Sequence, residues 1–183
     1  MSDLTVLRRD LPCPERPFFL FGPRGTGKST WLRQVLADTP RLDLLDAALY
    51  LELTRDPHRL EALVGPRPAG VWVVLDEIQK VPALLDEVHR LIETRRWRFA
   101  LCGSSARKLR RGGANLLAGR ALTLGMEGFT AAELGDRFNL RAALEWGTLP
   151  FVALAASDVP DILAAYVNTY LKEEIRKEGL IRQ

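Results

Sequence analysis

The chain has 183 residues, enough for one well-buried domain or for one domain with a small appendage. Its 47% hydrophobic and 27% charged content is ordinary for a folded globular protein, and a net charge of +3 does not by itself demand a polyanionic partner. Two distant cysteines, Cys13 and Cys102, exclude a disulfide framework and a cysteine metal cluster, and Cys102, in an apolar run, reads as a core thiol. The N-terminus carries Asp3, Arg8, Arg9 and Asp10 with no apolar leader segment. Uncharged apolar runs such as Val71–Leu75 and Phe151–Ala156 fall short of the roughly 18 residues that span a bilayer. The expectation is a reduced, cytoplasmic protein with no membrane partner.

Residues 1–17 form a lead-in that ends in a proline-rich stretch. An apolar run at 18–21 predicts the first strand and runs directly into Gly22-Pro23-Arg24-Gly25-Thr26-Gly27-Lys28-Ser29. That string fills every constrained position of the phosphate-loop pattern G-x-x-x-x-G-K-[ST]. A helix follows over about 28–37, with Trp31, Leu32, Val35 and Leu36 on one face. Gly22, Gly25 and Gly27 give the backbone the freedom to curl its N–H groups around a polyphosphate, and the start of the helix faces the same anion. Lys28 is placed to reach the β- and γ-phosphates, the Ser29 hydroxyl to hold magnesium, and Thr30 completes the binding segment.

Further along, residues 48–53 alternate and predict a second strand, and Asp56-Pro57 predicts the cap of a helix that stops at Gly65-Pro66. Val71–Leu75 is a continuous apolar run, as in a strand buried on both faces of a parallel sheet. Pro82 opens a helix whose core stripe is Leu84, Leu85, Val88, Leu91 and Ile92. Strands are predicted at Phe99–Cys102 and Ala121–Leu124, so the expectation is an α/β fold, a three-layer αβα parallel sheet of five strands. Thr130-Ala131-Ala132-Glu133 is a capping box. The core is read as 18–134, a small helical lid as 135–165, and 166–183 as a helix or linker. Ile162, Leu163, Tyr166, Val167, Tyr170 and Leu171 form an amphipathic stripe with few partners left to cover it.

Asp76 and Glu77 end the most apolar strand, beside the phosphate loop at the carboxyl edge where open parallel sheets bind ligands. Asp76 would help hold the magnesium, and Glu77 could polarise a water for in-line attack on the γ-phosphate. An extra strand between this pair and the phosphate loop favours hydrolysis over transfer to a small alcohol. Ser104, after the fourth strand, is placed either to contact the γ-phosphate or to form a simple turn. Between Thr94 and Met126 stand Arg95, Arg96, Arg98, Arg107, Lys108, Arg110, Arg111 and Arg120 with no acidic residue. Three readings stay open for them: a solvated face, an arginine finger for a neighbouring subunit's ATP, or a nucleic-acid contact. Arg120 is the chosen finger. His58 and His89 have no acidic or cysteine partner at ligand spacing and are read as surface or core residues, not metal ligands.

Four stretches together carry a resemblance: the phosphate loop, Leu75-Asp76-Glu77-Ile78-Gln79-Lys80-Val81-Pro82, Cys102-Gly103-Ser104-Ser105-Ala106 and Leu117-Ala118-Gly119-Arg120. With Glu133, Gly147–Pro150 and Tyr170–Ile175, the chain from about residue 17 onward resembles the prokaryotic AAA-superfamily (AAA+) ATP-binding proteins that carry a C-terminal domain of unknown function. The resemblance implies a P-loop NTPase with an ASCE-type sheet of order 5-1-4-3-2, binding ATP and Mg2+. It further implies Ser104 as the sensor of the γ-phosphate, Arg120 as a candidate finger between subunits of a homo-oligomer, and Pro150 near the adenine. It also implies an output domain beyond residue 183, absent from this chain. The expected activity is magnesium-dependent ATP hydrolysis driving or gating that domain. A nucleotide-controlled switch with negligible turnover alone, and a nucleic-acid-associated ATPase, are the alternatives.

Overall fold

The computed structural model of the protein describes residues 7–106, 109 and 117–171. The chain divides into two units, Cys13–Pro23 with Lys28–Met126, and Met1–Pro12 with Arg24–Gly27 and Glu127–Gln183. In the first unit, Phe18–Phe21 form β1 with all four residues buried, as suits an uncharged run in a strand flanked on both sides in a parallel sheet. Around it lie β2 (Arg41–Asp43), β3 (Trp72–Asp76), β4 (Arg98–Gly103) and β5 (Leu122–Gly125) in the order β2-β3-β4-β1-β5. All four pairings are parallel, and the order is the expected 5-1-4-3-2 taken from the other edge. β4, lying between β1 and β3, is the extra strand.

Helix α1 (Lys28–Val35) buries Trp31 and Leu32, and α4 (Leu84–Arg95) buries Leu84, Leu85, Val88 and Leu91, four of the five residues of its predicted stripe. Between them lie α2 (Ala47–Arg55) and α3 (Arg59–Val64). Each fully buried Leu or Phe contributes about 1.5–3 kcal/mol, so the continuous cluster of Phe19, Leu75, Leu84, Val88, Phe99 and Leu101 is what holds the sheet and helices in register.

Two local expectations are corrected. Residues 48–53 are not a strand but lie inside α2. The Asp46 side chain accepts the N–H of Leu49 at 2.9 Å and starts a helix, whose spacing leaves Leu53 buried and Leu51 half exposed. The second strand is instead the three-residue β2, too short to show a pattern, which enters the sheet by pairing Leu42 with Leu75. Asp56 does organise a turn, its side chain accepting the His58 N–H at 3.0 Å, but α3 itself begins only at Arg59.

In the second unit, α5 (Ala131–Leu134) carries the expected capping box between Thr130 and Glu133. Helix α6 (Leu140–Trp146) is capped by the Asn139 side chain, and α7 (Pro150–Ala153) has proline in its first turn. Helix α8 (Val159–Tyr166) runs on as a π-helical turn, Val167–Leu171. The lead-in as far as Pro12 belongs to this unit. Arg9 donates to the carbonyls of Glu127 (2.8 Å) and Gly128 (3.2 Å) and pairs with Glu133 at 3.1 Å. Its guanidinium also lies over the Phe129 ring, 4.8 Å from the centroid.

Candidate active site

β1 delivers the chain to Gly22, where a Cβ would overlap the carbonyl oxygen of Met126. The Met126 N–H donates to the Phe21 carbonyl at 2.8 Å, so at this point two backbones run side by side and only glycine fits. Helix α1 then opens at Lys28, and the N–H groups of its first turn lack intrahelical acceptors, which makes its start an anion-binding end. The buried Lys28 ammonium folds back over the loop and donates to the carbonyls of Gly22 (2.6 Å) and Pro23 (2.8 Å).

The Ser29 hydroxyl donates to Asp76 Oδ2 at 2.6 Å, so the first turn of α1 and the end of β3 converge on one point. The other carboxylate oxygen, Oδ1, accepts the backbone N–H of Glu77 at 3.0 Å, which fixes the plane of the Asp76 carboxylate. A hydroxyl and a carboxylate are hard oxygen donors, and the pair fits a magnesium ion that keeps part of its water shell. Cys102, buried in the adjacent strand, offers no competing thiolate. Burial, reinforced by the Asp76 charge, pushes its thiol well above the ordinary range. Thr30 follows Ser29 on α1 and is exposed.

Glu77 sits in the left-handed region, φ +56°, an uncommon conformation for a non-glycine residue, and it turns the chain out of β3. The Glu77 carboxylate accepts a hydrogen bond from the Gln79 side chain. The same Gln79 nitrogen lies 3.4 Å from the Ser104 hydroxyl at the end of β4. The structure therefore brings Lys28, Ser29, Asp76, Glu77 and Ser104 to the carboxyl edge of one sheet. It adds Gln79, which sequence reasoning passed over although it lies within the Asp76–Gln79 stretch.

Residues 24–27, the tip of the loop, belong to the helical unit and are held differently. Gly25 and Gly27 take φ of +81° and +89°. A Cβ on Gly25 would stand 2.5 Å from the Phe151 ring, and one on Gly27 would stand 3.9 Å from Pro150 Cγ. The Tyr166 hydroxyl donates to the Arg24 carbonyl at 3.0 Å, and the Arg24 guanidinium lies over the Tyr170 ring at 5.1 Å. Thr26 is fully buried, and its carbonyl accepts from Arg9 at 3.4 Å. The stripe predicted from Ile162 onward thus finds part of its cover on the loop tip, and Phe151 and Tyr166 were not identified as site residues from sequence.

Arg120 stands before β5, whose first residue, Leu122, pairs with Phe18 at the start of β1. The loop leaves the opposite end of β1, roughly 10 Å away along the strand, and the Arg120 side chain is paired with Glu93 at 2.7 Å. Arg120 is therefore not brought to this chain's own loop. Within the basic stretch, Arg95 pairs with Glu61, and Arg98 donates to the Gly70 carbonyl and stacks on Trp72. Arg107, Lys108, Arg110 and Arg111 lie outside the described residues. Among the described residues no cluster of three or more metal-binding side chains occurs, and His58 is hydrogen-bonded to the buried Glu87 at 2.9 Å.

A parallel sheet of this order, with a glycine-rich loop after β1 and an Asp-Glu pair after β3, defines a P-loop NTPase with the extra central strand. The sequence model of the AAA domain family matches residues 14–135, and the chain belongs to that family. Among solved structures it is similar to a Walker-type ATPase of Pyrococcus abyssi, with 16% identity and a TM-score of 0.58, covering 87% of this chain and 71% of that one. Weaker likenesses are to the Aeropyrum pernix ORC2 protein in ADPNP-ADP complexes (15% identity, 66% of this chain, 44% of that one, TM-score 0.45) and to a Thermotoga maritima RuvB variant (22% identity, 71% and 43%, TM-score 0.43). The chain thus spans less than half the length of the latter two. No curated protein sequence matches it. Among the described residues, no helix is long and apolar enough to cross a membrane.

Proposed function

We propose that this chain binds ATP together with Mg2+ and hydrolyses the γ-phosphate, as the ATPase module of a larger AAA-type protein. One observation carries the reading: the 2.6 Å contact between Ser29 Oγ and Asp76 Oδ2, with Glu77 next in the chain. Two oxygen donors from separate elements converge beside a lysine and a helix start, an arrangement suited to a metal-bound polyphosphate. Pro150 and the turn before it are the proposed neighbours of the base.

In this mechanism the loop N–H groups and Lys28 hold the β- and γ-phosphates, Lys28 exchanging its carbonyl partners for phosphate oxygens. Bound magnesium would offset the negative charge of the phosphates, with Ser29 and Asp76 holding it. Glu77 orients the attacking water and accepts its proton, and Ser104 contacts the γ-phosphate. Arg120, at the far end of the sheet, serves only the nucleotide of another copy, so mixing Glu77→Gln with Arg120→Ala chains restores part of the activity. The test of the whole reading is titration with a fluorescent ATP analogue, with and without magnesium. Lys28→Ala weakens binding by about 100-fold; binding indistinguishable from wild type overturns it.

A further inference from the structure

Gln79 contributes a side chain to the site without appearing in the mechanism above. It lies in the 3-10 turn Ile78–Lys80 that follows Glu77, and its Nε2 donates to Glu77 Oε2 while lying 3.4 Å from Ser104 Oγ. One amide nitrogen therefore links the proposed base to the hydroxyl that faces the γ-phosphate. The rest of the amide is fixed as tightly. Gln79 Oε1 is buried without a hydrogen-bond partner among the described residues, and it lies where a Cβ on Gly103 would stand.

An orphaned buried carbonyl is costly to keep. The amide nevertheless has only one sensible orientation, because a carboxylate needs a donor and only Nε2 can supply one. The bare Cα of Gly103 admits the carbonyl on the other side. Gly103 shows no left-handed φ, so its lack of a side chain here serves space and not backbone freedom. Glycine at 103 and glutamine at 79 fit each other across the ends of β3 and β4.

We infer that Gln79 is the positioning residue of this site, holding the Glu77 carboxylate in line with Ser104 so that base and γ-phosphate contact act as one unit. The inference rests on Glu77 as the base. Misplacing a reacting group by about 1 Å can cost on the order of 100-fold in rate, so loss of this hold appears in kcat and not in affinity.

The experiment is single-turnover ATP hydrolysis with enzyme in excess, beside titration of a fluorescent ATP analogue, on the full chain. Gln79→Glu keeps size and shape but replaces the donor with a second carboxylate. It lowers the hydrolysis rate at least as far as Gln79→Ala, about 10-fold or more, with analogue affinity within about threefold. Gly103→Ala, which displaces Oε1 from the other side, lowers the rate similarly, and in the Gln79→Ala background it has no further effect. Wild-type rate in Gln79→Glu means the side chain only fills space and overturns the inference, as do losses from Gly103→Ala and Gln79→Ala that simply multiply. Glu77→Gln separates the two levels. Full activity in that variant overturns the base itself and this inference with it. An inactive Glu77→Gln beside a normal Gln79→Glu overturns the positioning role alone.

Discussion

The phosphate loop is held in two ways along its eight residues. At its base, Gly22 and Lys28–Ser29 belong to the sheet unit and are fixed by charge and hydrogen bonds, to main-chain carbonyls and to Asp76. At its tip, Arg24–Gly27 belong to the helical unit and are held by the rings of Phe151 and Tyr170 and by hydrogen bonds from Tyr166 and Arg9 to main-chain carbonyls. The base needs particular functional groups at particular atoms. The tip offers its main chain to the ligand and is placed by ring surfaces and by hydrogen bonds to its carbonyls, so side-chain chemistry and holding are separated within one short loop.

That contrast can be broken at the base first. Asp76→Asn keeps shape and removes a negative ligand, so magnesium-dependent hydrolysis falls by about 100-fold or more, read as the rate with and without the metal. Gly22→Ala drives a methyl group into the Met126 carbonyl, and thermal unfolding reports a loss of about 1–3 kcal/mol, even without nucleotide. The smallest change comes at the tip. Tyr166→Phe removes one hydroxyl from the Arg24 carbonyl and costs about 0.5–1.5 kcal/mol, seen in stability or as a severalfold change in analogue affinity. If Tyr166→Phe were to abolish hydrolysis as Asp76→Asn does, the division between chemistry and holding would be wrong.

A control away from the loop sharpens the comparison. Glu87, buried on α4, is held below the usual glutamate range chiefly by its hydrogen bond to Arg90. Its folded-state pKa lies below its unfolded value, so its contribution is present above about pH 4.3 and is lost as pH falls through the folded value. Acid unfolding of Glu87→Gln should therefore be less steep than that of wild type, with loop chemistry unchanged at neutral pH.

The same division explains what could be read from residues alone. β1, the loop and the Asp76-Glu77 pair are legible because each is written as contiguous chemistry: an apolar run, spaced glycines, a lysine, acids at a strand end; the strand order follows only from the family resemblance. β2 is not, since three residues carry no period, and the alternation at 48–53 misled because Asp46, outside that window, sets the helical phase. Gln79 reads as one polar residue after an acidic pair until folding brings Gly103 against it. Tyr166 and Tyr170 are visible as a stripe, but their target, Arg24, lies more than a hundred residues earlier. Such pairings depend on where chain segments meet, and a linear pattern holds no trace of that.

The bonds of Arg9 carry a kinetic consequence. They join the lead-in to carbonyls 118 and 119 residues further along, while Asp10 reaches Glu133 across 123. During synthesis β1 must wait for its partners β4 and β5, and this early segment must wait longer still, until residues 127–133 have left the ribosome. A deletion or bulky tag at the start of the chain should therefore slow the final folding phase and be felt among helices encoded near its other end.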